Sequence, residues 1–411
     1  MIDNETEKEL RAHNQIHILD RYNNSDDTKK QKMEVQIKNI DFEQIEKLYN
    51  SVGKSENFSN DIIESVQYVD KEKLSEDEYN KYYNIGAEQL KMEKCAVVTM
   101  AGGQGTRLGH TGPKGTFDIG LDSHKSIFEI LADKLKVEYE NYNVYVPWYI
   151  MTSEENNDQT VSFFDENNYF GYDKNKIKFF KQGKLPMVAE DGKILINEDG
   201  IIKEAADGNG GIYKSMKQNG IIDDMKKNNV EWIFTGPVDN VLIKMVDPIF
   251  LGVAIDKKVL IGGKSTVKRS PSEKVGVFCK KNGIPSVVEY IDIPEEMAVK
   301  TDEKGELLFG ESHINCNLFN IKAIEIVANK EMPYHVAHKK AKYMDSAGQI
   351  INPEKPNAYK FESFIFDAFS YFDDIAVFRV KREDEFAPVK NAQGEDSPET
   401  ARDLYYKYFN K

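Results

Sequence analysis

Residues 101–115 read AGGQGTRLGHTGPKG and follow directly on the apolar run Ala96–Met100. This juncture constrains the chain more than any other stretch. An apolar strand that ends in Gly102, Gly103, Gly105 and Gly109 lets backbone N–H groups approach a phosphate closely, because glycine takes φ > 0 without penalty. Arg107 lies inside the loop and Lys114 follows Pro113 at its end. Two cations beside such a loop can neutralise charge that builds up on a departing polyphosphate. The combination points to nucleotidyl transfer rather than simple nucleotide storage. Two other phosphate motifs fit less well. The dinucleotide fingerprint G-x-G-x-x-G, counted from Gly103 and Gly105, needs glycine where Leu108 stands. A P-loop ending in Gly263-Lys264-Ser265 needs its first glycine at Lys258.

A chain of 411 residues can bury a sizeable core and is expected to split into two or three domains. Its formal net charge of −14 argues against a general binder of nucleic acid or of an anionic membrane, since both need a basic field. Cations that meet phosphate must then be placed individually, which draws attention to Lys114, Lys360 and Lys390. The cysteines are Cys95, Cys279 and Cys316, an odd number with no C-x-x-C, so neither a disulfide framework nor a structural zinc site is expected. His335 and His338 could share a helical face, but no third ligand is evident near them, and they read as ordinary surface or boundary histidines. The acidic start MIDNETEKEL does not read as a signal peptide, and no apolar run reaches transmembrane length. A cytoplasmic location is the expectation.

Residues 1–92 are charged with spaced hydrophobes such as Ile40, Phe42, Ile45 and Leu48, which predicts a helical N-terminal flank. From Lys94 the texture changes to short apolar strands alternating with helical segments. Ala96–Met100, Val146–Met151, Ile177–Phe180, Trp232–Thr235 and Val259–Gly262 read as strands. Ser126–Glu140, Gly211–Asn219 and Ser397–Phe409 read as helices. The alternation predicts an α/β core over 93–340 with a mainly parallel sheet, and 341–411 as a C-terminal part completing the site. Lys281-Asn282-Gly283 between Val275–Cys279 and Ser286–Ile291 reads as a hairpin turn.

Ligands of open α/β sheets bind outside the carboxyl ends of strands. The glycine loop begins at such an end, and so does Gly236-Pro237-Val238-Asp239-Asn240. A carboxylate there can hold Mg²⁺, which takes one or two protein carboxylates plus phosphate oxygens; a turn or N-cap aspartate is the alternative reading. Asp207-Gly208-Asn209-Gly210-Gly211 precedes a helical segment, so its N–H groups can meet hydroxyls or phosphates, or simply cap the helix. Gln182 follows an apolar strand and could set its amide against a nucleobase edge.

These segments carry a family resemblance. AGGQGTRLG, PKG, YIMTSE, QGKLPM, DGNGGIY, VDNVLIKMVDP, VGVF, VVEYIDI, YHVAHKKAKYMD, KPNAYKFESFIFD and REDEFAPVKNA occur in this order over roughly residues 94–405. The chain resembles the eukaryotic-type UDP-N-acetylglucosamine pyrophosphorylases within the UDP-sugar pyrophosphorylase family. The resemblance implies a nucleotide-diphospho-sugar transferase fold, a Rossmann-like mixed α/β sheet. It implies the reversible reaction of UTP with a sugar 1-phosphate to UDP-sugar and pyrophosphate, with Mg²⁺ or Mn²⁺ as cofactor. On the matching positions, Gly102 and Gly103 would contact the nucleotide, Arg107 and Lys114 would clamp the pyrophosphate, and Gln182 and Gly208 would hold the uracil. Asp239 would ligate the metal. Asn209, Gly276, Glu289 and Asn317 would hold the sugar, and Lys360 and Lys390 would balance phosphate charge.

One stretch departs from the family pattern Asn-Ile-Ala-Asn-His-Phe. Here it reads Ile314-Asn315-Cys316-Asn317-Leu318-Phe319, which keeps Asn317 but replaces an asparagine by Ile314 and a histidine by Leu318. In the family this stretch lies beside the sugar, so two donor or acceptor groups are gone, and UDP-glucose or broader UDP-sugar synthesis stands beside the N-acetylglucosamine reading. A non-catalytic UDP-sugar-binding protein is the alternative from another class. Retention of Arg107, Lys114, Asp239 and Lys390 speaks against it, because charge aimed at a transition state serves turnover. A glycosyltransferase of related fold would need a D-x-D, and the chain has none.

Overall fold

The computed structural model describes residues 2–53 and 61–410. Cys95–Met100 is buried at every position, as expected of a strand covered on both faces. It lies within a sheet of 11 strands. In chain order these are β1 (Ile63–Ser65), β2 (Tyr68–Asp70), β3 (Cys95–Met100), β4 (Trp148–Thr152), β5 (Ile177–Lys181), β6 (Trp232–Pro237), β7 (Ile261–Val267), β8 (Val277–Lys281), β9 (Ile284–Val288), β10 (Glu311–Asn320) and β11 (Ala376–Arg379). The main path runs β2-β11-β7-β10-β6-β3-β4-β5. β6, β3, β4 and β5 are mutually parallel, as are β7, β11 and β2. β10 runs antiparallel between β6 and β7, so the sheet is mixed. The β8–β9 hairpin, with β1 along its edge, joins the sheet where Val277 meets Ser312.

Local chemistry accounts for these elements. Asn282 and Gly283 both have positive φ (54° and 81°), as a two-residue hairpin turn requires. Ser126 caps the helix Ile127–Tyr142 by accepting from the Glu129 N–H, and Ser397 forms a capping box with Thr400 at the start of Pro398–Phe409. The expected strand Val259–Gly262 is shifted. β7 starts at Ile261 and continues through Gly263, Lys264, Ser265 and Thr266, all buried. A polar run of this kind does not read as a buried strand, and it becomes one because Lys264 finds buried carboxylates, described below.

The chain divides into two compact units, and neither is a consecutive stretch. One comprises Met1–Ser59, Gly183–Gly211 and Met332–Phe364; the other comprises Asn60–Gln182, Ile212–Glu331 and Ile365–Lys411. In the first unit, four helices between Asn4 and Ser51 bury Leu10, Ile18, Met33, Ile37, Phe42 and Ile45 together with Val188, Ile194, Ile196, Ile202 and Phe361. A three-stranded sheet of Val188–Ala189, Ala358–Glu362 and His335–Lys339 belongs to the same unit. His335 and His338 thus lie on a strand, not a helix. His335 packs on Phe364, while His338 stacks on Tyr359 and pairs with Glu190 at 3.1 Å. The second unit holds the large sheet and its apolar core, in which Val97, Trp148, Ile150, Phe164 and Phe234 meet Phe128 and Leu131 from the helix Ile127–Tyr142. No helix among the described residues is long and apolar enough to cross a membrane.

Candidate active site

The parallel strands β3 and β6 end side by side, with Met100 opposite Pro237 and the Val238 N–H donating to Met100 O at 3.1 Å. The loop after β3 and the loop after β6 therefore open at the same edge of the sheet. The first loop is closed by backbone bonds from Gly105 N–H to Gly112 O (3.0 Å) and from Lys114 N–H to Gly103 O (3.1 Å). Its underside is held by Asn156, a fully buried side chain whose Nδ2 donates to Ala101 O at 2.9 Å and Gly103 O at 3.3 Å. Sequence reasoning missed Asn156. The only signal was an asparagine just beyond the end of an apolar strand.

Gly102 and Gln182 come together. A Cβ built on Gly102 would lie 2.7 Å from the Gln182 side-chain amide, so only glycine permits this approach. Gln182 is fixed at the end of β5 by its N–H, which donates to Thr152 O at 2.8 Å. Gly103 and Arg107 are exposed on the loop, Arg107 within the short turn Thr106–Leu108.

Lys114 meets Asp239. Its Nζ lies 3.0 Å from Asp239 Oδ2, and the two side chains are 16% and 18% exposed. Asp239 is in turn linked to the segment that carries Lys390. The Val389 N–H donates to Asp239 O at 2.8 Å, and Asn240, fully buried, accepts from the Ala387 N–H and donates to Glu385 O, both at 2.8 Å. Lys390 itself is 43% exposed and lies 3.8 Å from Asp396. Beneath this junction Lys264 is fully buried, with Nζ 2.8 Å from Asp247 and 2.5 Å from Glu385. Lys71 reaches the same carboxylates at 3.6 and 3.3 Å. Burial opposes charge on Asp247, yet Lys264, Lys71 and Lys244 outweigh it and hold the carboxyl well below its ordinary range. Asn240 thus ties the Asp239 loop to the Glu385–Lys390 segment, and Lys264 holds the Glu385 carboxylate beneath it; the sequence offers Lys264 only as part of an incomplete P-loop.

A second cluster gathers Gly276, Glu289 and Asn317. A Cβ on Gly276 would lie 3.0 Å from Glu289 Oε1, and Gly276 O accepts from the His313 N–H at 2.9 Å. Glu289 stands just past the end of β9 rather than within the strand. Asn317 is fully buried on β10, opposite Thr235 of β6 and Gly263 of β7. Its Oδ1 lies 2.8 Å from His313 Nε2. Contrary to the expectation from the family pattern, Ile314 and Leu318 do not stand where the sugar-side polar groups gather. Both lie with Cys316 in the apolar core, whereas His313 and Phe319 on the same strand pack with Phe369. The two substitutions fill the core and remove nothing from the side where Asn317 meets His313.

Gly208, Asn209 and Lys360 belong to the first unit. Gly208 has φ +88° and lies so close to Ser363 that a side chain would strike its backbone. Asn209 opens the turn Asn209–Gly211, which is fixed by the Gly210 N–H donating to Ser363 O at 2.9 Å. Lys360 Nζ pairs with Glu362 at 2.7 Å.

Asp239 offers one hard carboxylate, and among the described residues no group of three or more His, Cys, Asp or Glu forms a cage. That donor set suits Mg²⁺, which keeps several waters and takes one or two carboxylates together with phosphate oxygens.

A glycine loop and a lysine–aspartate pair, whose one carboxylate could also take a hard cation, at the adjoining ends of parallel strands are the features of an α/β nucleotidyltransferase. Comparison with known proteins makes the class specific. Residues 41–395 match the family described as UTP–glucose-1-phosphate uridylyltransferase. A UDP-N-acetylglucosamine pyrophosphorylase of Saccharomyces cerevisiae is 39% identical over 80% of this chain and 71% of that protein. A UDP-N-acetylhexosamine pyrophosphorylase-like protein 1 of Xenopus tropicalis is 38% identical over 79% of this chain, and the match spans 66% of its length. The crystal structure of the UDP-N-acetylglucosamine pyrophosphorylase from Trypanosoma brucei in complex with inhibitor superposes with a TM-score of 0.84 at 27% identity, covering 99% of this chain and 85% of that one. The chain belongs to the UTP–glucose-1-phosphate uridylyltransferase family.

Proposed function

We propose that this chain joins UTP and N-acetylglucosamine 1-phosphate to give UDP-N-acetylglucosamine and pyrophosphate, reversibly. The observation that carries the reading is the Lys114–Asp239 pair, 3.0 Å apart beside the glycine loop, in a chain of this family. The yeast and trypanosome relatives, both described as UDP-N-acetylglucosamine pyrophosphorylases, support the choice of sugar.

A phosphate oxygen of the sugar 1-phosphate attacks the α-phosphorus of UTP. A new P–O bond forms, the bond to the bridging oxygen breaks, and pyrophosphate leaves with the electron pair. The attacking group is already an oxyanion at neutral pH, so no general base is needed, and the protein supplies position and charge. Gly102 and Gly103 bring backbone N–H groups to the nucleotide, and Gln182 meets the uracil edge. Arg107 and Lys114 take up charge on the leaving pyrophosphate, and Lys390 does so at the α-phosphate. Asn317, Gly276 and Glu289 hold the sugar. Asp239 is the residue that would hold Mg²⁺ or Mn²⁺, which when bound neutralises charge on phosphate oxygens. For Gly208, Asn209 and Lys360 the roles at uracil, sugar and phosphate rest on the family resemblance. The cysteines Cys95, Cys279 and Cys316, buried and unpaired, fit a reducing cytoplasmic setting.

The test is pyrophosphate release from purified protein with UTP, Mg²⁺ and, separately, the 1-phosphates of N-acetylglucosamine, N-acetylgalactosamine, glucose and galactose. Preference for N-acetylglucosamine 1-phosphate is expected. Preference for an unacetylated sugar overturns the choice of sugar, and no release with any of the four overturns the proposal.

A further inference from the structure

Asn317 is fully buried, and its amide is satisfied on one side only. Oδ1 lies 2.8 Å from His313 Nε2, whereas Nδ2 is buried with no hydrogen-bond partner among the described residues. A buried donor without an acceptor carries its whole desolvation cost until a ligand meets it. His313 is anchored by its own backbone, whose N–H donates to Gly276 O, and its ring is packed edge-on against Phe278, Phe366 and Phe369 at 5.0, 5.7 and 5.8 Å. Such a ring has little freedom to turn.

We propose that His313 sets the sugar specificity of this site by holding the Asn317 amide through its carbonyl, which leaves the amide NH₂ as the group the sugar must meet with an acceptor oxygen. The proposal rests on the reading of Asn317 as a sugar contact. Burial pushes the His313 imidazolium down to about 4, so at neutral pH the ring carries one N–H. With that proton on Nε2, the Asn317 carbonyl is paired and the amide is locked. The favoured ligand group is an acetamido carbonyl or a hydroxyl oxygen that accepts. A cationic group such as the ammonium of glucosamine 1-phosphate meets the NH₂ donor to donor and is rejected. Ile314, Cys316 and Leu318 line the core instead, so the polar pair His313–Asn317 carries this discrimination on its own strand. Sequence reasoning did not find His313, since its partner is fixed only once the strand is formed.

The first experiment needs no turnover. Long-range ¹⁵N–¹H spectra of ¹⁵N-histidine-labelled protein, with His313 assigned by loss of its signals in His313→Phe, are expected to show a neutral ring with the proton on Nε2 at pH 7. A proton on Nδ1 with bare Nε2 would place the amide the other way round and overturn the proposal. The second experiment is kinetic. In His313→Phe the KM for N-acetylglucosamine 1-phosphate is expected to rise about tenfold while the KM for UTP changes less than about twofold, and His313→Gln, which restores an N–H donor, recovers most of the loss. An equal rise in both KM values, or an unchanged sugar KM, overturns it. Should His313→Phe fail to fold, His313→Gln serves for the assignment and the smaller His313→Leu, which also lacks the N–H donor, for the KM comparison. An inactive wild-type protein would overturn the proposed reaction, while the tautomer still decides the state of His313.

Discussion

Gly102 and Gln182 approach so closely that a Cβ on the glycine would lie 2.7 Å from the glutamine amide. Gly102 and Gln182 are 80 positions apart in the chain, and the fold brings the glycine loop up to the end of β5. Gly102→Ala should displace the Gln182 amide without disturbing the sheet. We expect the KM for UTP to rise by about ten- to a hundredfold, the size of a lost hydrogen bond to a substrate edge, with the thermal unfolding curve nearly unchanged. Steady-state kinetics with UTP varied checks this; an unchanged KM would remove Gln182 from the nucleotide.

Lys114 and Asp239 neutralise each other across 3.0 Å, so neither acts independently. Lys114→Met should lower kcat by about 10²–10³, as loss of one transition-state donor does. Asp239→Asn should lower activity by a similar factor and raise the Mg²⁺ concentration needed for half-maximal rate. The double variant should lose less than the product of the two single losses, because residues in one ion pair are coupled. A fully multiplicative loss would contradict a shared role.

Lys264 is buried against Asp247 and Glu385. Lys264→Met leaves two buried carboxylates short of their main partner, a change that costs about 3–5 kcal/mol. Urea unfolding should show it. Because Glu385 and Asn240 tie the Asp239 loop to the Lys390 segment, the folded remainder should also lose kcat more than it gains in KM.

His313 gives the pH dependence a sign. Its folded-state value, lowered by burial, is about 4 against an ordinary 6.5. The unfolded chain therefore binds a proton that the folded chain refuses between those values. Stability is whole above about pH 6.5 and falls as the pH drops towards 4, by at most about 3 kcal/mol from this group. Urea unfolding at pH 7 and pH 5 should show the loss, and in His313→Phe the difference should shrink.

What the sequence disclosed was local. The strand at Cys95–Met100, the glycine loop after it, the Asn282-Gly283 turn and the serine caps at Ser126 and Ser397 are each set by neighbours within a few residues. The family resemblance added the site residues, and the structure brings Gly102 to Gln182, Lys114 to Asp239 and Gly276 to Glu289. What stayed hidden depends on partners far along the chain. Gly263-Lys264-Ser265 does not read as a buried strand until Glu385, 121 residues on, neutralises the lysine. Ile314 and Leu318 read as losses at the sugar until the strand shows which way they point. The helices of residues 4–51 gave no hint that their apolar faces close on Ile194, Ile202 and Phe361.

The interleaving of the two units has a consequence for biosynthesis. The N-terminal helices emerge from the ribosome first, yet Phe361, which completes their apolar core, arrives only after both long segments of the other unit have been made. Leu10, Ile18, Met33 and Phe42 must wait, exposed or provisionally covered, for most of translation. A nascent chain of this kind cannot fold one unit at a time from its N-terminus, and it is in this interval that chaperones have the most apolar surface to hold.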